Sequence, residues 1–374
     1  MLRVKQAAAQ NWFSLIPQLS TLNQFHHSLD SRPIPHYIFP KMLAEQTNAP
    51  STDWQQLCEP VQPFLDEVTG QLQAEVEVFD PQIATFVQYA LGSQGKQLRP
   101  LLVALSGRAS GGLNAEHARA AVIIEMIHLA TLVHDDVVDG AEVRRSRPTL
   151  AANWGNKVSV LAGDCLFAEA LQLAADMPTQ SVCGLVARAA KAVCTGEIRQ
   201  TLQRGNFHLQ QAEYFELVEM KTAELFALAC ALGARLAASD SATEEALREY
   251  GKQLGTAYQI YDDCVDVFGA EAIAGKTLGT DLATGKATLP VLLALERADD
   301  AGRKTWLAML KDGEAQAEAV RERLVEGGIP AACREVVGGY IADAKAAVEN
   351  LPTGREPLLA LTDCLTHQLV ALDD

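Results

Sequence analysis

Glu125–Thr149 reads EMIHLATLVHDDVVDGAEVRRSRPT, and it places Asp135, Asp136 and Asp139 within five residues. Ahead of the acids the apolar residues Ile127, Leu129, Ala130, Leu132 and Val133 predict a helix. At about 100° per residue, Asp139 falls about 40° from Asp135 and Asp136 about 100° from it, so one helix end can aim three carboxylates at one region. Thr131 and His128 lie on the same stripe, one and two turns earlier. Clustered carboxylates repel one another and lose hydration unless a cation neutralises them. Hard carboxylate oxygens suit Mg²⁺, which keeps waters and takes substrate phosphates as further ligands. An acidic run near a helix end is most often a solvated face. Here the acids follow an apolar run and are interleaved with Val137 and Val138, which is unusual for a surface loop.

The composition narrows the possibilities. The chain has 374 residues, 48% of them hydrophobic, and a net charge of −16 with no basic patch, which argues against a nucleic-acid partner. An anionic substrate would have to be held by metal ions and a few placed Lys and Arg against that overall field. Eight cysteines without CxxC spacing predict free thiols in a reducing compartment rather than disulfides or zinc. No run of 18 uncharged apolar residues predicts a transmembrane span, and Leu225–Ala234 comes nearest. The expected location is cytoplasmic, with an organelle-targeting leader in residues 1–50 as the alternative.

Residues 1–50 lack helical periodicity and are expected to form a poorly ordered extension to a domain spanning 51–374. Beyond them the sequence predicts helices at Leu57–Val78, Ile83–Leu91, Pro100 to about Ser110, a long helix capped by Asn114, Thr149–Ala175, Ser181–Arg204, Gln210–Ala238 and Thr243–Phe268. Gly269–Lys286 is expected to be a loop without an element. Thr288–Ala298, Arg303–Leu310, Glu314–Val325, Pro330–Glu349 and Glu356–Leu372 complete an all-α fold, a single large helical bundle around a central cavity.

A second acidic cluster, Asp262, Asp263 and Asp266, repeats the i, i+1, i+4 spacing 127 positions later, with Gln259 nearly one turn ahead. One such cluster is weak evidence. Two in one helical chain point to several Mg²⁺ ions around a diphosphate. The basic residues fall in short motifs: Lys96 and Arg99 at a turn entering a helix, Arg144 and Arg145 after the first cluster, Lys221-Thr222 beside an apolar run, and Lys276 and Lys286 around Thr280-Asp281. Together they suggest two anion sites, one bridged by metal and one purely cationic.

These motifs, HDDVVDGAEVRRSRPT, YQIYDDCVDVFG, GKQLRP, MKTAELF and GKTLGTDLATGKATLP, resemble in content and order those of the trans (E-type) polyprenyl diphosphate synthases, long-chain branch, from about Leu57 to the C-terminal helix. The resemblance implies a prenyltransferase that condenses isopentenyl diphosphate with an allylic diphosphate, with about two or three Mg²⁺ ions as cofactor, and a homodimer. It implies that Asp135, Asp136, Asp139, Asp262 and Asp263 bind Mg²⁺, with Asp266 in support. Arg144, Lys221 and Lys286 would hold the allylic diphosphate, assisted by Lys276 and Gln259. Lys96, Arg99, His128 and Arg145 would bind isopentenyl diphosphate, and Thr222 would orient the reacting groups. Asp135, Asp136, Arg144, Lys221, Thr222, Asp262 and Lys286 are the residues the chemistry depends on most directly.

In the family, the residues five and four before the first aspartate govern product length. Here they are Ala130 and Thr131. Side chains this small leave room for a tail and favour about C30–C50 products. A shorter-chain synthase and a non-catalytic subunit of a heteromeric synthase are the alternatives. The basic residues at Lys96, Arg99 and Arg145 argue against a terpene cyclase, and the retention of both acidic clusters argues against the subunit.

Overall fold

The structure, a computed structural model, describes residues 52–92, 95–145, 147–269, 278–311 and 313–370. The expected extension 1–50 and Lys276 lie outside them. All described residues belong to the unit Lys41–Asp374.

The all-α expectation is borne out. The helices are α1 (Thr52–Cys58), α2 (Gln62–Val76), α3 (Pro81–Leu91), α4 (Leu98–Ala109), α5 (Ala115–Val138), α6 (Leu150–Trp154), α7 (Asn156–Ala175), α8 (Ser181–Leu202), α9 (Gln211–Val218), α10 (Glu224–Leu236), α11 (Ser241–Phe268), α12 (Thr280–Ala283), α13 (Leu289–Arg297), α14 (Asp300–Leu310), α15 (Gly313–Glu326), α16 (Ile329–Val348) and α17 (Arg355–Val370). Two short antiparallel strands, β1 (Val143–Arg144) and β2 (Arg147–Pro148), close the turn after α5.

The centre of the bundle is α10, packed against α4 and α11. Leu225 through Ala234 are all buried, so the segment that came nearest to a membrane span is the core helix of the bundle. Helix α5 packs on α7, and α11 packs on α16. Asn114 caps α5 by accepting from the Glu116 amide at 3.0 Å, as expected.

Three predicted helices are divided. Leu57–Val78 is α1 and α2 joined by a 3₁₀ turn at Glu59–Val61, where Pro60 and Pro63 withhold backbone donors. Thr149–Ala175 breaks at Gly155, which takes φ +82° between α6 and α7. Gln210–Ala238 contains a π turn at Glu219–Ala223 between α9 and α10. The expected loop Gly269–Lys286 contains the single turn α12.

One described helix, α7, is long and apolar enough to cross a membrane by length and composition. It carries Lys157, Asp164 and Glu169 and packs against α5 and α8. The cysteines are free: Cys58, Cys230, Cys264 and Cys333 are buried, and Cys194 is exposed.

Candidate active site

The first acidic cluster sits at the C-terminal end of α5. The Asp139 amide donates to the Asp135 carbonyl at 2.8 Å, and Gly140 then turns the chain at φ +64°. The helix dipole disfavours carboxylates at this end, so they require cations. Arg144, carried back by the β1–β2 hairpin, donates from Nε to Asp136 at 2.7 Å. Lys221 stands 3.8 Å from Asp135, 2.5 Å from Glu197 and 2.9 Å from the Gln200 amide oxygen. Asp139 is shared. One oxygen pairs with Arg204, and the other lies 3.5 Å from Lys286. Burial pushes the Asp135 carboxyl up to about 6. Lys221 opposes that rise, while Glu197 and Asp139 add to it. Asp136 is also raised by burial, against the pull of Arg144.

Lys221 and Thr222 lie in the π turn, where the extra residue per turn shifts the helix phase. Two glycines let neighbouring helices close on it. A Cβ at Gly196 of α8 would stand 2.9 Å from the Lys221 amide nitrogen, and one at Gly255 of α11 would stand 2.7 Å from the Ala223 Cα.

The second cluster lies near the C-terminal end of α11. Asp263 is buried and receives the Tyr214 hydroxyl at 2.6 Å and the Gln259 amide at 2.8 Å. The Gln259 amide oxygen accepts from Thr222 at 2.7 Å. Burial, and then the neighbouring Asp281, push the Asp263 carboxyl up to about 7 despite these bonds. Asp266 accepts from the Thr280 hydroxyl and the Asp281 amide, each at 3.0 Å, which pins the loop that delivers Asp281 and Lys286. Lys286 is 3.2 Å from Asp281. Burial alone would lower its pKa, but Asp281 and Asp139 raise it above the ordinary value. Lys286 thus links the two clusters. Asp262 is half-buried and within electrostatic reach of Lys96.

Lys96, Arg99, His128 and Arg145 gather beside this region. Gln97 enters α4 in the left-handed conformation, φ +49°. Arg99 lies over the Phe226 ring at 5.0 Å, and Arg145 packs across Gly95, where a Cβ would collide with its guanidinium. His128 is half-buried, and its pKa falls well below the ordinary value through loss of solvent and the nearby Arg99, Arg145 and Arg144. Lys96 is exposed as a residue, yet loss of solvent around its ammonium lowers its pKa, with Asp262 opposing. Glu125 is buried in the electrostatic field of Arg99 and Arg145, and its Oε2 makes no hydrogen bond. Ala130 has no exposed surface, whereas Thr131 is half-buried and donates to the His128 carbonyl at 2.7 Å.

Ion pairs, hydrogen bonds and electrostatic interactions thus link the described acidic and basic candidates with Thr222 and Gln259, while Ala130 is buried in the core. The structure adds Glu125, Glu197, Gln200, Arg204, Tyr214 and Asp281. Glu197 and Gln200 lie almost one turn apart on α8, more than 20 positions before Lys221, and carried no motif signal. Arg204 and Tyr214 carried none either.

Among the described residues, no three metal-ligating side chains stand close enough to hold one ion as placed. Cations and fixed donors occupy the carboxylates instead. The donor set still fits Mg²⁺. It is all oxygen, largely buried and rich in acid, and Asp135 stays disfavoured as a carboxylate even beside Lys221. An added cation would relieve that excess.

The sequence profile described as Polyprenyl synthetase matches residues 80–326. The chain belongs to the polyprenyl synthetase family. It is 34% identical over 275 residues to the octaprenyl diphosphate synthase of Haemophilus influenzae, covering 74% of this chain and 79% of that protein. The decaprenyl diphosphate synthase structure from Rhodobacter capsulatus superposes with a TM-score of 0.79 at 31% identity, covering 84% of this chain and 99% of that one. A polyprenyl synthase from Caulobacter crescentus CB15, complexed with calcium and isoprenyl diphosphate, gives a TM-score of 0.76 at 35% identity, covering 84% and 97%. The expected prenyltransferase of the polyprenyl synthetase family is thus borne out, and long-chain synthases are among its relatives.

Proposed function

We propose that this prenyltransferase joins isopentenyl diphosphate to an allylic diphosphate and makes a medium- or long-chain all-trans product, about C30–C50. The observation that carries the reading is the gathering of cations from separate segments, Arg144, Lys221 and Lys286, onto the first acidic helix end, with Lys286 delivered by the loop that Asp266 of the second cluster holds. Asp135, Asp136, Asp139, Asp262 and Asp263 would hold Mg²⁺, about two or three ions, and Asp266 would fix the loop carrying Lys286. The calcium and isoprenyl diphosphate in the Caulobacter crescentus enzyme support this assignment. When bound, Mg²⁺ supplies positive charge against the negative charge that builds on the departing diphosphate.

Arg144, Lys221 and Lys286 bind that diphosphate and stabilise it as the allylic C–O bond breaks. Lys276 is assigned the same role from the sequence motif. Lys96, Arg99, His128 and Arg145 hold isopentenyl diphosphate so that its double bond attacks the allylic cation. A proton then leaves the new cation for the released diphosphate. Thr222 and Gln259, already bonded to each other, orient the reacting end. His128 contributes an imidazole whose pKa loss of solvent and the nearby Arg99, Arg145 and Arg144 hold well below the ordinary value. The growing tail starts beside Thr131, whose small side chain leaves that route open; Ala130 acts through the packing behind it.

We place residues 51–374 in the catalytic domain and the enzyme in the cytoplasm. A second copy covers exposed apolar side chains of two neighbouring helices, Val160, Leu161 and Leu171 on α7 and Ile198 and Leu202 on α8. Leu161 is 63% and Leu202 78% exposed, which is costly for an isolated chain. Light scattering should give a dimer that Leu161→Glu dissociates; a monomeric wild type would refute this part.

The decisive assay incubates the purified protein with labelled isopentenyl diphosphate, farnesyl diphosphate and Mg²⁺. Incorporation into long-chain product is expected, and none by the protein alone would sink the catalytic reading.

A further inference from the structure

Arg204 is not part of any acidic or basic motif in the sequence, yet it reaches the first acidic cluster. It leaves the end of α8 and pairs with one oxygen of Asp139, while Lys286 approaches the other at 3.5 Å. These two cations come from different loops, and the loops touch through their backbones. The Gly205 amide donates to the Gly285 carbonyl at 2.8 Å. Gly285 takes φ +71°, and a Cβ there would stand 3.1 Å from the Gly205 nitrogen. The position of Arg204 is therefore tied to the turn that delivers Lys286.

A simpler role would be capping of α5, since Arg204 also lies 3.5 Å from the Val138 carbonyl. Capping leaves two observations unexplained. Arg204 shares its carboxylate with Lys286, and its Nε is buried without a hydrogen-bond partner. A guanidinium offers five N–H donors, and here one of them is held dry and unused at the edge of the site.

We propose that Arg204 is a further direct ligand of the allylic diphosphate, paired in function with Lys286. The inference rests on the proposed function, in which Asp139 faces a metal-bridged diphosphate. If Asp139 held a metal ion, Arg204 would lose its Asp139 partner, whereas Lys286 would keep Asp281 at 3.2 Å. A diphosphate bound at that end of α5 would then be the anion open to Arg204. Arg204 then presents Nε and Nη2 side by side, the fork that matches two phosphate oxygens. In the unliganded enzyme the Asp139 pairing keeps the guanidinium in place.

Calorimetric titration of inorganic diphosphate in the presence of Mg²⁺ tests this on the full chain. Arg204→Gln should weaken binding about tenfold, the scale of one lost charged hydrogen bond. It should raise KM for the allylic diphosphate by a similar factor and leave KM for isopentenyl diphosphate unchanged. Arg204→Lys, which keeps the charge and loses the fork, should fall between. Unchanged or tighter binding in Arg204→Gln overturns the proposal, tighter binding being the mark of a residue that only competes with the metal for Asp139. Asp135→Ala is the control for the underlying site. If it abolishes binding while Arg204→Gln does not weaken it, the inference about Arg204 fails alone. If Asp135→Ala binds like wild type, the metal-diphosphate reading fails with it.

Discussion

The two acidic clusters share one spacing and meet two different fates. Asp135, Asp136 and Asp139 are neutralised by Lys221, Arg144, Arg204 and Lys286, long side chains that can move. Among the described residues, Asp263 and Asp266 accept from neutral donors: the hydroxyls of Tyr214 and Thr280, the Gln259 amide and the Asp281 backbone. The first cluster is therefore poised to exchange charged partners, while neutral donors orient Asp263 and Asp266. An anionic substrate can draw off the cations of the first cluster, whereas a metal ion at Asp263 would share that carboxylate with Tyr214 and Gln259. Identical spacing in a sequence thus need not mean identical work.

The largest break in this comparison is Asp135→Ala. Turnover should fall by about three orders of magnitude, because charge stabilisation at the leaving group is lost, while circular dichroism and thermal melting stay close to wild type. Retained activity would refute the metal assignment. Tyr214→Phe addresses the fixed cluster. Losing one buried donor to Asp263 should cost about tenfold in kcat or in Mg²⁺ affinity, the scale seen when groups supporting metal ligands are removed. If neither moves, Tyr214 serves only packing.

The clusters also make the metal-free protein sensitive to pH. Asp135 at about 6 and Asp263 at about 7 both hold their protons more tightly folded than at the ordinary 3.8. Ionising them in the native state therefore costs stability. Between about pH 4 and pH 7 these two carboxyls bind more protons in the native state than in the unfolded chain and add stability as pH falls, each by at most about 1.4 kcal/mol per pH unit. His117 and His128, both lowered by loss of solvent, act in the opposite sense below about pH 6.5. In EDTA, the Tm of Asp263→Asn relative to wild type should therefore shift in the variant's favour as pH rises from 5.5 to 7.5, and a difference independent of pH would contradict the burial of Asp263. The smallest effect is on product length. Thr131→Phe should shorten the product by one or more isoprene units with little loss of total incorporation, as judged by chromatography, and an unchanged product would remove Thr131 from the tail's path.

Much of this was legible because helical spacing is local. The i, i+1, i+4 acids, the Asn114 cap and the apolar run of α10 each declare themselves within a turn or two. What stayed hidden depended on contacts between segments. Nothing in QRGNFHL tells that Gly205 meets Gly285, so Arg204 could not be found. Tyr214 reads as an ordinary core aromatic until α9 is laid against α11. The π turn was hidden for another reason. Leu225–Ala234 is apolar on every side, so no change of phase appears in its pattern.

That uniformity has a further consequence for how the enzyme tolerates change. A helix with one apolar stripe must keep its register, and one added residue would turn charged side chains inward. Leu225–Ala234 carries no charge on any side, so an extra residue at Glu219–Ala223 rotates the segment and still buries apolar surface. What fixes its rotation is shape and its two ends: a Cβ at Gly233 would stand 2.6 Å from the Val103 carbonyl oxygen, and Glu224 and Arg235 pair with Arg248 and Glu244.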